Sequence, residues 1–163
     1  KWMTAPISAG LSTEFDPYLE AKDAQEFLAT RGEELVNRPV DDAKNYGESI
    51  TIDLVTATQR VSVRGTITEG KMMISRVNDF DRLYLDPVGN TLFFEYSDAP
   101  GIIAKLSGKL GEKGINIIDI RAPQNRKTGN SLAVIKICSD ITDADVKAMA
   151  ELVDAVKAFK FNA

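Results

Sequence analysis

The sequence predicts an α+β fold, and two periodic patterns separated by frequent turn residues lead to that class. After Ser49, several short segments alternate apolar and polar residues, which is the period of a β-strand with one buried face. Two longer segments, beginning near Gly101 and Thr142, repeat apolar residues at intervals of three and four, as an amphipathic helix does. Glycine and proline separate most of these segments, so the connections are expected to be turns.

The composition narrows the class of protein. With 163 residues, of which 44% are hydrophobic and 27% charged, the chain is expected to hold one globular domain or two small ones. Its formal net charge of −4 makes it a poor candidate for binding nucleic acid or an anionic membrane. Because the chain has no histidine, it cannot form a Ser-His or Cys-His catalytic pair or a histidine-based zinc site, and no metal site is predicted.

Other features bear on where the protein is found. The single cysteine, Cys138, excludes an internal disulfide and fits a reducing compartment, so we expect a cytoplasmic protein. No apolar run reaches the roughly 18 residues that a membrane-spanning helix requires, and the start of the chain does not resemble a signal peptide. Because the chain begins at Lys1 rather than at methionine, we expect it to be part of a longer protein.

Residues 1–87 are predicted to form a small domain of one helix and an antiparallel meander. The helix is expected from about Pro17 to Arg31, with Gly32 ending it. Strands are expected at residues 49–55, 61–67, 72–77 and 83–85. Four basic residues of the meander could surround an anion, although the favoured explanation is that they are solvent-exposed strand and turn residues. They are Arg64, Lys71, Arg76 and Arg82.

Residues 88–163 show a more regular order of elements. Strands are expected at residues 92–96, 115–120, 132–137 and 156–161, and residues 124–130 are expected to form a polar turn. One helix is expected between Pro100 and Gly114, and a second begins at a capping box of Thr142 and Asp145. The resulting order β-α-β-β-α-β is that of a ferredoxin-like fold.

Three glycines of the first of these helices have a regular spacing. Gly108, Gly111 and Gly114 lie three residues apart, which is not the spacing of a dinucleotide-binding fingerprint. A phosphate-binding loop is excluded as well, because Leu110 stands where that motif needs serine or threonine. We therefore expect these glycines to allow close packing on one face of the helix.

The junction between the strand at 92–96 and the following helix is the candidate site. A helix N-terminus presents unpaired N–H groups and partial positive charge, which suit a carboxylate. Gly101 would let such a group approach the backbone, and Pro100 sets the backbone at the helix entry. Asp98 and Asn116 could then bind an ammonium group, which together is the chemistry of a free amino acid. The alternative is that Asp98 and Asn116 are ordinary turn and strand-entry residues.

The same residues carry a family resemblance. Residues 98–103 (Asp-Ala-Pro-Gly-Ile-Ile) and 114–117 (Gly-Ile-Asn-Ile) resemble the signature of ACT domains, which are regulatory modules that bind small effectors, often amino acids. Residues 64–67, 92–96 and 131–135 resemble the C-terminal end of D-3-phosphoglycerate dehydrogenases. In the long form of that family an allosteric-substrate-binding domain precedes the ACT domain, and residues 1–87 resemble its last part.

The resemblance implies a role for particular residues. Tyr96, Asp98 and Asn116 stand where serine-binding members contact their effector. Pro100, Gly101 and Ile102 stand where the helix start cradles it. ACT domains of this family pair side by side as at least a homodimer, so L-serine is expected at the seam.

The resemblance also implies that the chemistry lies elsewhere. The catalytic domains of the presumed parent chain, with their NAD cofactor and catalytic histidine, are not in this sequence. We therefore expect a non-catalytic, regulatory chain that holds no cofactor of its own and serves feedback control of serine biosynthesis.

Two other readings remain open. The regulatory part of an iron–sulfur L-serine dehydratase carries a similar pair of domains. A ferredoxin-like nucleic-acid-binding module would need exposed aromatic residues and a basic sheet. Residues 132–137 contain no aromatic residue and the chain is acidic, so this reading is disfavoured.

Overall fold

The computed structural model describes residues 3–16, 18, 20–38 and 47–162. The chain divides into two compact units, Lys1–Asn45 and Tyr46–Ala163. The described part of the first contains two helices, and the second holds two antiparallel sheets and two helices. An α+β fold is therefore confirmed. In the described part, no helix is both long and apolar enough to cross a membrane.

The first unit contains two helices, α1 (Thr4–Leu11) and α2 (Ala21–Thr30). Helix α2 starts later than predicted, because Glu20 is its extended N-cap; Pro17, the predicted start, lies outside the described residues. Helix α1 was not predicted, and it contains Pro6 and Gly10, two residue types that are typical of turns. Pro6 lies in the first turn, however, where the missing N–H is not needed.

The second unit opens with the predicted meander, which forms a sheet in the order β1-β2-β3. Its strands are β1 (Ser49–Val55), β2 (Arg60–Thr68) and β3 (Lys71–Val77). The strand predicted at 83–85 is wrong: Leu85 makes only an isolated bridge to Ile74. The left-handed backbone of Tyr84, with φ of 44°, interrupts the extended conformation between two buried leucines.

A second sheet of five strands follows. Its strands are β4 (Asn90–Ser97), β5 (Ile117–Arg121), β6 (Gln124–Asn125), β7 (Asn130–Ile137) and β8 (Lys157–Asn162). The order is β5-β7-β4-β8, and the short β6 pairs with the start of β7. Strand β6 falls in the segment predicted as a polar turn, so that prediction was incomplete.

Two helices connect the strands of this sheet, α3 (Ile102–Glu112) and α4 (Asp143–Leu152). Strand β7 lies between β4 and β5, and β4 lies between β7 and β8, which is compatible with a ferredoxin-like fold. The predicted capping box is confirmed: the Asp145 N–H donates to Thr142 Oγ1 at 3.1 Å, and the Thr142 N–H donates to the Asp145 carboxylate at 3.3 Å.

The two central strands of the five-stranded sheet, β4 and β7, are buried on both faces. Alternate residues of β4 and β7 pack with α3 and α4, and this cluster includes Leu92, Phe94, Tyr96, Ile102, Leu106, Leu110, Ala133, Ile135 and Ile137. The residues between them face the other way and pack against residues 77–85. That second cluster consists of Val77, Phe80, Leu83, Leu85, Phe93, Leu132 and Val134.

The glycines of α3 do not serve close packing. A Cβ placed on Gly108 or Gly111 meets no described neighbour within 4 Å, and both residues are exposed. The packing role expected for them is therefore wrong. Gly114 instead follows the C-cap Lys113 with φ of +70°, the left-handed conformation that commonly ends a helix.

Candidate ligand site at the start of helix α3

A tight turn joins β4 to α3. Gly101 is the N-cap of the helix, and its φ of 87° and ψ of −6° match the third position of a type II turn, which favours glycine. Pro100 then occupies the position before it, where proline is common in such turns. It lies ahead of the N-cap and not in the first turn of the helix.

The N-terminus of α3 is uncapped by side chains. Gly101 provides no capping group, and the first turn contains no acidic residue. The first intrahelical hydrogen bond is donated by the Lys105 N–H to the Gly101 carbonyl at 3.0 Å. The N–H groups of the preceding helical residues therefore carry the partial positive charge of a helix start without an intrahelical acceptor.

Asp98 lies beside this helix start, and its carboxylate is held by two side chains. Its Oδ1 accepts a hydrogen bond from Ser131 Oγ at 2.7 Å, and its Oδ2 accepts one from Gln124 Nε2 at 2.9 Å. The Asp98 N–H donates to the Gly129 carbonyl at 3.0 Å. Asp98 is thus fixed to β6 and β7 while remaining exposed.

Tyr96 is mostly enclosed by the core. It is 2% exposed and belongs to the cluster that includes Ile102 and Leu106. Burial raises the pKa of the Tyr96 phenol above its ordinary value, and the neighbouring Asp98 carboxylate raises it further. The phenol therefore stays protonated at neutral pH, and it can offer a ligand a neutral hydroxyl group only.

Asn116 lies at the opposite end of the sheet. Ile117, the next residue, pairs with Ile137, which pairs on its other side with Asn90 at the start of β4. Tyr96 is six residues further along β4, a separation of roughly 20 Å. The structure therefore does not bring Asn116 to Asp98 within one chain, and the shared pocket inferred from the residue types is absent from the described part of a single copy.

The surroundings of Asn116 are open. Its carbonyl accepts a hydrogen bond from the Cys138 N–H at 3.0 Å, which ties the start of β5 to the end of β7. Its exposed side-chain amide makes no hydrogen bond with the described residues. This amide can therefore receive a group that comes from outside the chain.

The four basic residues of the meander do not form one cluster. Arg64 and Arg76 are directly opposite on β2 and β3. The Arg76 guanidinium donates to the Asn78 carbonyl at 2.6 Å and to Ser62 Oγ at 2.8 Å. Lys71 lies at the other end of β3, and Arg82 is an exposed residue of the loop that follows this strand. The described residues also contain no group of three or more side chains suited to holding a metal ion.

Two clefts border the five-stranded sheet. One of about 700 Å³ is lined by charged residues that already pair: Lys113 with Asp145 at 2.6 Å and Lys160 with Asp140 at 3.2 Å. It lies away from Asp98, and its paired charges leave little for a ligand. The other, of about 410 Å³, is lined in part by Gln124, which donates to Asp98.

Sequence reasoning missed Gln124 and Ser131. Both are polar residues in segments read as a turn and the edge of a strand. The antiparallel register carries the missing information: Tyr96 pairs with Ser131, which pairs in turn with Gln124. Side chains directly opposite in adjacent strands share a face, so Tyr96, Ser131 and Gln124 lie on one face of the sheet, at the end of β4 that precedes Asp98.

Comparison with known proteins gives one similarity. The chain is 24% identical over 109 residues to a D-3-phosphoglycerate dehydrogenase of Methanocaldococcus jannaschii. The alignment covers 67% of this chain and 21% of the relative, so the chain spans about a fifth of the length of that protein. No family model matches the sequence. The similarity suggests that dehydrogenase family and identifies no domain within the chain.

Proposed function

We propose that this chain is an amino-acid-binding regulatory region of a D-3-phosphoglycerate dehydrogenase, with L-serine as its effector. The observation that carries the proposal is the uncapped N-terminus of α3 beside the fixed carboxylate of Asp98. The similarity to a named dehydrogenase supports it independently.

The geometry suits the two charged ends of an amino acid. The ligand carboxylate accepts hydrogen bonds from the N–H groups at Ile102 and the residues after it, where the helix dipole favours negative charge. Its ammonium group donates to Asp98. Gly101 keeps the approach open, because a Cβ placed there would meet no described neighbour within 4 Å.

A second copy of the chain completes the proposed site. Strands β4 and β5 are parallel, since both pair antiparallel with β7, and β5 is an edge strand. If two copies pair their β5 strands in antiparallel fashion, Asn116 of one copy comes to the end of the sheet that holds Tyr96 and Asp98 of the other. This arrangement accounts for an exposed Asn116 amide at the far end of a single chain.

Regulation follows if the two copies bind L-serine better in one relative arrangement than in another. An effector shifts a conformational equilibrium only by its difference in affinity for the two states. We propose that L-serine favours the less active arrangement of the parent enzyme. The catalytic domains and their NAD cofactor then belong to the part of such a protein that this chain does not span.

The two other readings are less well supported. The similarity names a dehydrogenase rather than a dehydratase. A ferredoxin-like nucleic-acid module binds bases on the sheet face opposite its helices. Here that face is packed against residues 77–85, and Phe93 on it is buried and stacks on Phe159 at 4.6 Å.

Isothermal titration calorimetry with a panel of amino acids tests the proposed function. We expect L-serine to bind the chain and D-serine and L-lactate to bind much more weakly, since they misplace or lack the ammonium group. Asn130→Ala is the matched control for substitutions at the site, because it removes a hydrogen bond to Glu95 between the same strands, β7 and β4. It should bind L-serine as the parent does. Absence of binding by every L-amino acid would overturn the proposal.

A further inference from the structure

We propose, on the premise of the function above, that Ser131 and Gln124 are positioning residues that hold the Asp98 carboxylate for the ligand's ammonium group. The two side chains come from adjacent strands, β7 and β6. Each donates to a different oxygen of the same carboxylate.

In both hydrogen bonds, the side chain of Gln124 or Ser131 is the donor and the Asp98 carboxylate is the acceptor. An ionised carboxylate only accepts hydrogen bonds, so the Gln124 amide must present its NH₂ group to Asp98. The Ser131 hydroxyl likewise points its hydrogen at Oδ1. With distances of 2.7 and 2.9 Å, both contacts are within the range of charge-assisted hydrogen bonds.

The environments of the two donors differ. Ser131 is 2% exposed and is a polar residue in a strand whose next five positions are apolar or half-buried. Its hydroxyl therefore needs a partner, since an unpaired buried hydroxyl is costly. Gln124 is exposed and borders a cleft of about 410 Å³. One donor is thus buried in the sheet, and the other is open to solvent.

Together they leave room for a ligand. A carboxylate offers about four lone-pair positions, of which these two donors use one on each oxygen. The remaining positions are available to an ammonium group, and the carboxylate plane is already fixed when the ligand arrives. A preorganised acceptor binds more tightly because its ordering does not oppose association.

A double-mutant cycle on L-serine affinity tests this role. Gln124→Met keeps the length of the side chain but removes the donor, and Ser131→Ala removes the hydroxyl. We expect each to weaken binding of L-serine about two- to tenfold, the range for loss of one hydrogen bond. In an Asp98→Ala background neither change should weaken binding further, because the carboxylate they position is gone.

The outcomes separate the two proposals. If the parent chain binds no L-serine, the proposed function is wrong and the positioning role falls with it. If the parent binds L-serine and the single variants bind equally well, the positioning role alone is overturned. Losses that persist in the Asp98→Ala background would also overturn it, since they would show a general structural effect. Should Ser131→Ala fail to fold, the exposed Gln124→Met variant still decides the question.

Discussion

In the proposed site, Asp98 supplies the charge that the ligand's ammonium group needs, so substitution of Asp98 should weaken binding most. We expect Asp98→Ala to weaken L-serine binding by roughly 1.5–3 kcal/mol, the contribution of a hydrogen bond to a charged group. Asn116→Ala should cost roughly 0.5–1.5 kcal/mol, as for a neutral hydrogen bond. Tyr96→Phe should cost least, because the ring stays in the core and only the hydroxyl is lost.

Calorimetry on the three variants measures the order of their losses in L-serine affinity directly, with thermal unfolding as a check that each variant is folded. Parental affinity in Asp98→Ala would place the ligand elsewhere and leave Asp98 as a turn residue.

The raised pKa of Tyr96 predicts how the stability of the fold changes with pH. Its pKa is raised above the ordinary 10.0 by burial and by Asp98, so the folded state holds the phenolic proton more tightly than the unfolded state. The resulting stability is fully present below pH 10 and is lost as the pH rises through the folded pKa. Tyr96→Phe should therefore lose less stability between pH 9 and pH 11 than the parent does.

Urea unfolding at the two pH values measures this difference. Tyr84→Phe is the matched control, because Tyr84 is exposed, and it should lose stability as the parent does. Equal losses in the parent and in Tyr96→Phe would contradict the prediction.

At this scale the sequence predicted part of the site. Tyr96, Asp98 and Gly101 lie close together in the sequence, so their proximity follows from local structure. Ser131 and Gln124 lie 33 and 26 residues from Asp98, and they reach it only through the pairing of β7 with β4 and β6. A single sequence does not contain that register.

The start of α3 depends on the backbone of Gly101. With φ of +87° and open space around its Cα, a substitution there meets conformational strain but no steric contact with a described side chain. We expect Gly101→Ala to destabilise the fold by about 1–2 kcal/mol, the cost of a left-handed residue with a Cβ.

Gly108→Ala is the matched control in the same helix. Gly108 is exposed, has no neighbour within 4 Å of a Cβ and has no left-handed φ, so alanine should stabilise by about 0.5–1 kcal/mol. Chemical denaturation of both variants gives the two free energies. A stabilising Gly101→Ala would show that the observed turn is not the one adopted in solution.

Elements with strong periodicity were predicted best. Strand β4, helix α3 and helix α4 follow from apolar spacing and, for α4, from its capping box. Helix α1 was missed because it contains Pro6 and Gly10, which are typical of turns, although proline is tolerated in the first turn of a helix. The two-residue strand β6 is too short to show a period, and its pairing comes from β7 alone.

The whole chain is expected to self-associate through the edge of its larger sheet. Strand β5 has a free edge in a single copy, and Ile118 on it is 64% exposed. Uncovered strand edges readily pair with another chain. We expect at least a dimer at tens of micromolar, and Ile118→Lys should shift it towards monomer.

Light scattering coupled to size-exclusion chromatography measures the mass of the parent and of the Ile118→Lys variant. Val88→Lys is the control, since Val88 is similarly exposed, at 62%, in the connection before β4. A monomeric parent, with and without L-serine, would contradict the prediction, as would equal dissociation by the control.

Subunit complementation is the most direct test of a ligand site shared between two copies. Asp98→Ala and Asn116→Ala chains are mixed, exchange is verified by native mass spectrometry, and L-serine binding is measured by calorimetry. In a mixed dimer one of the two sites keeps both residues, so random exchange should restore about one quarter of the sites to parental affinity. If mixed dimers form and bind L-serine no better than the separate variants, Asp98 and Asn116 do not serve the same ligand across the two chains.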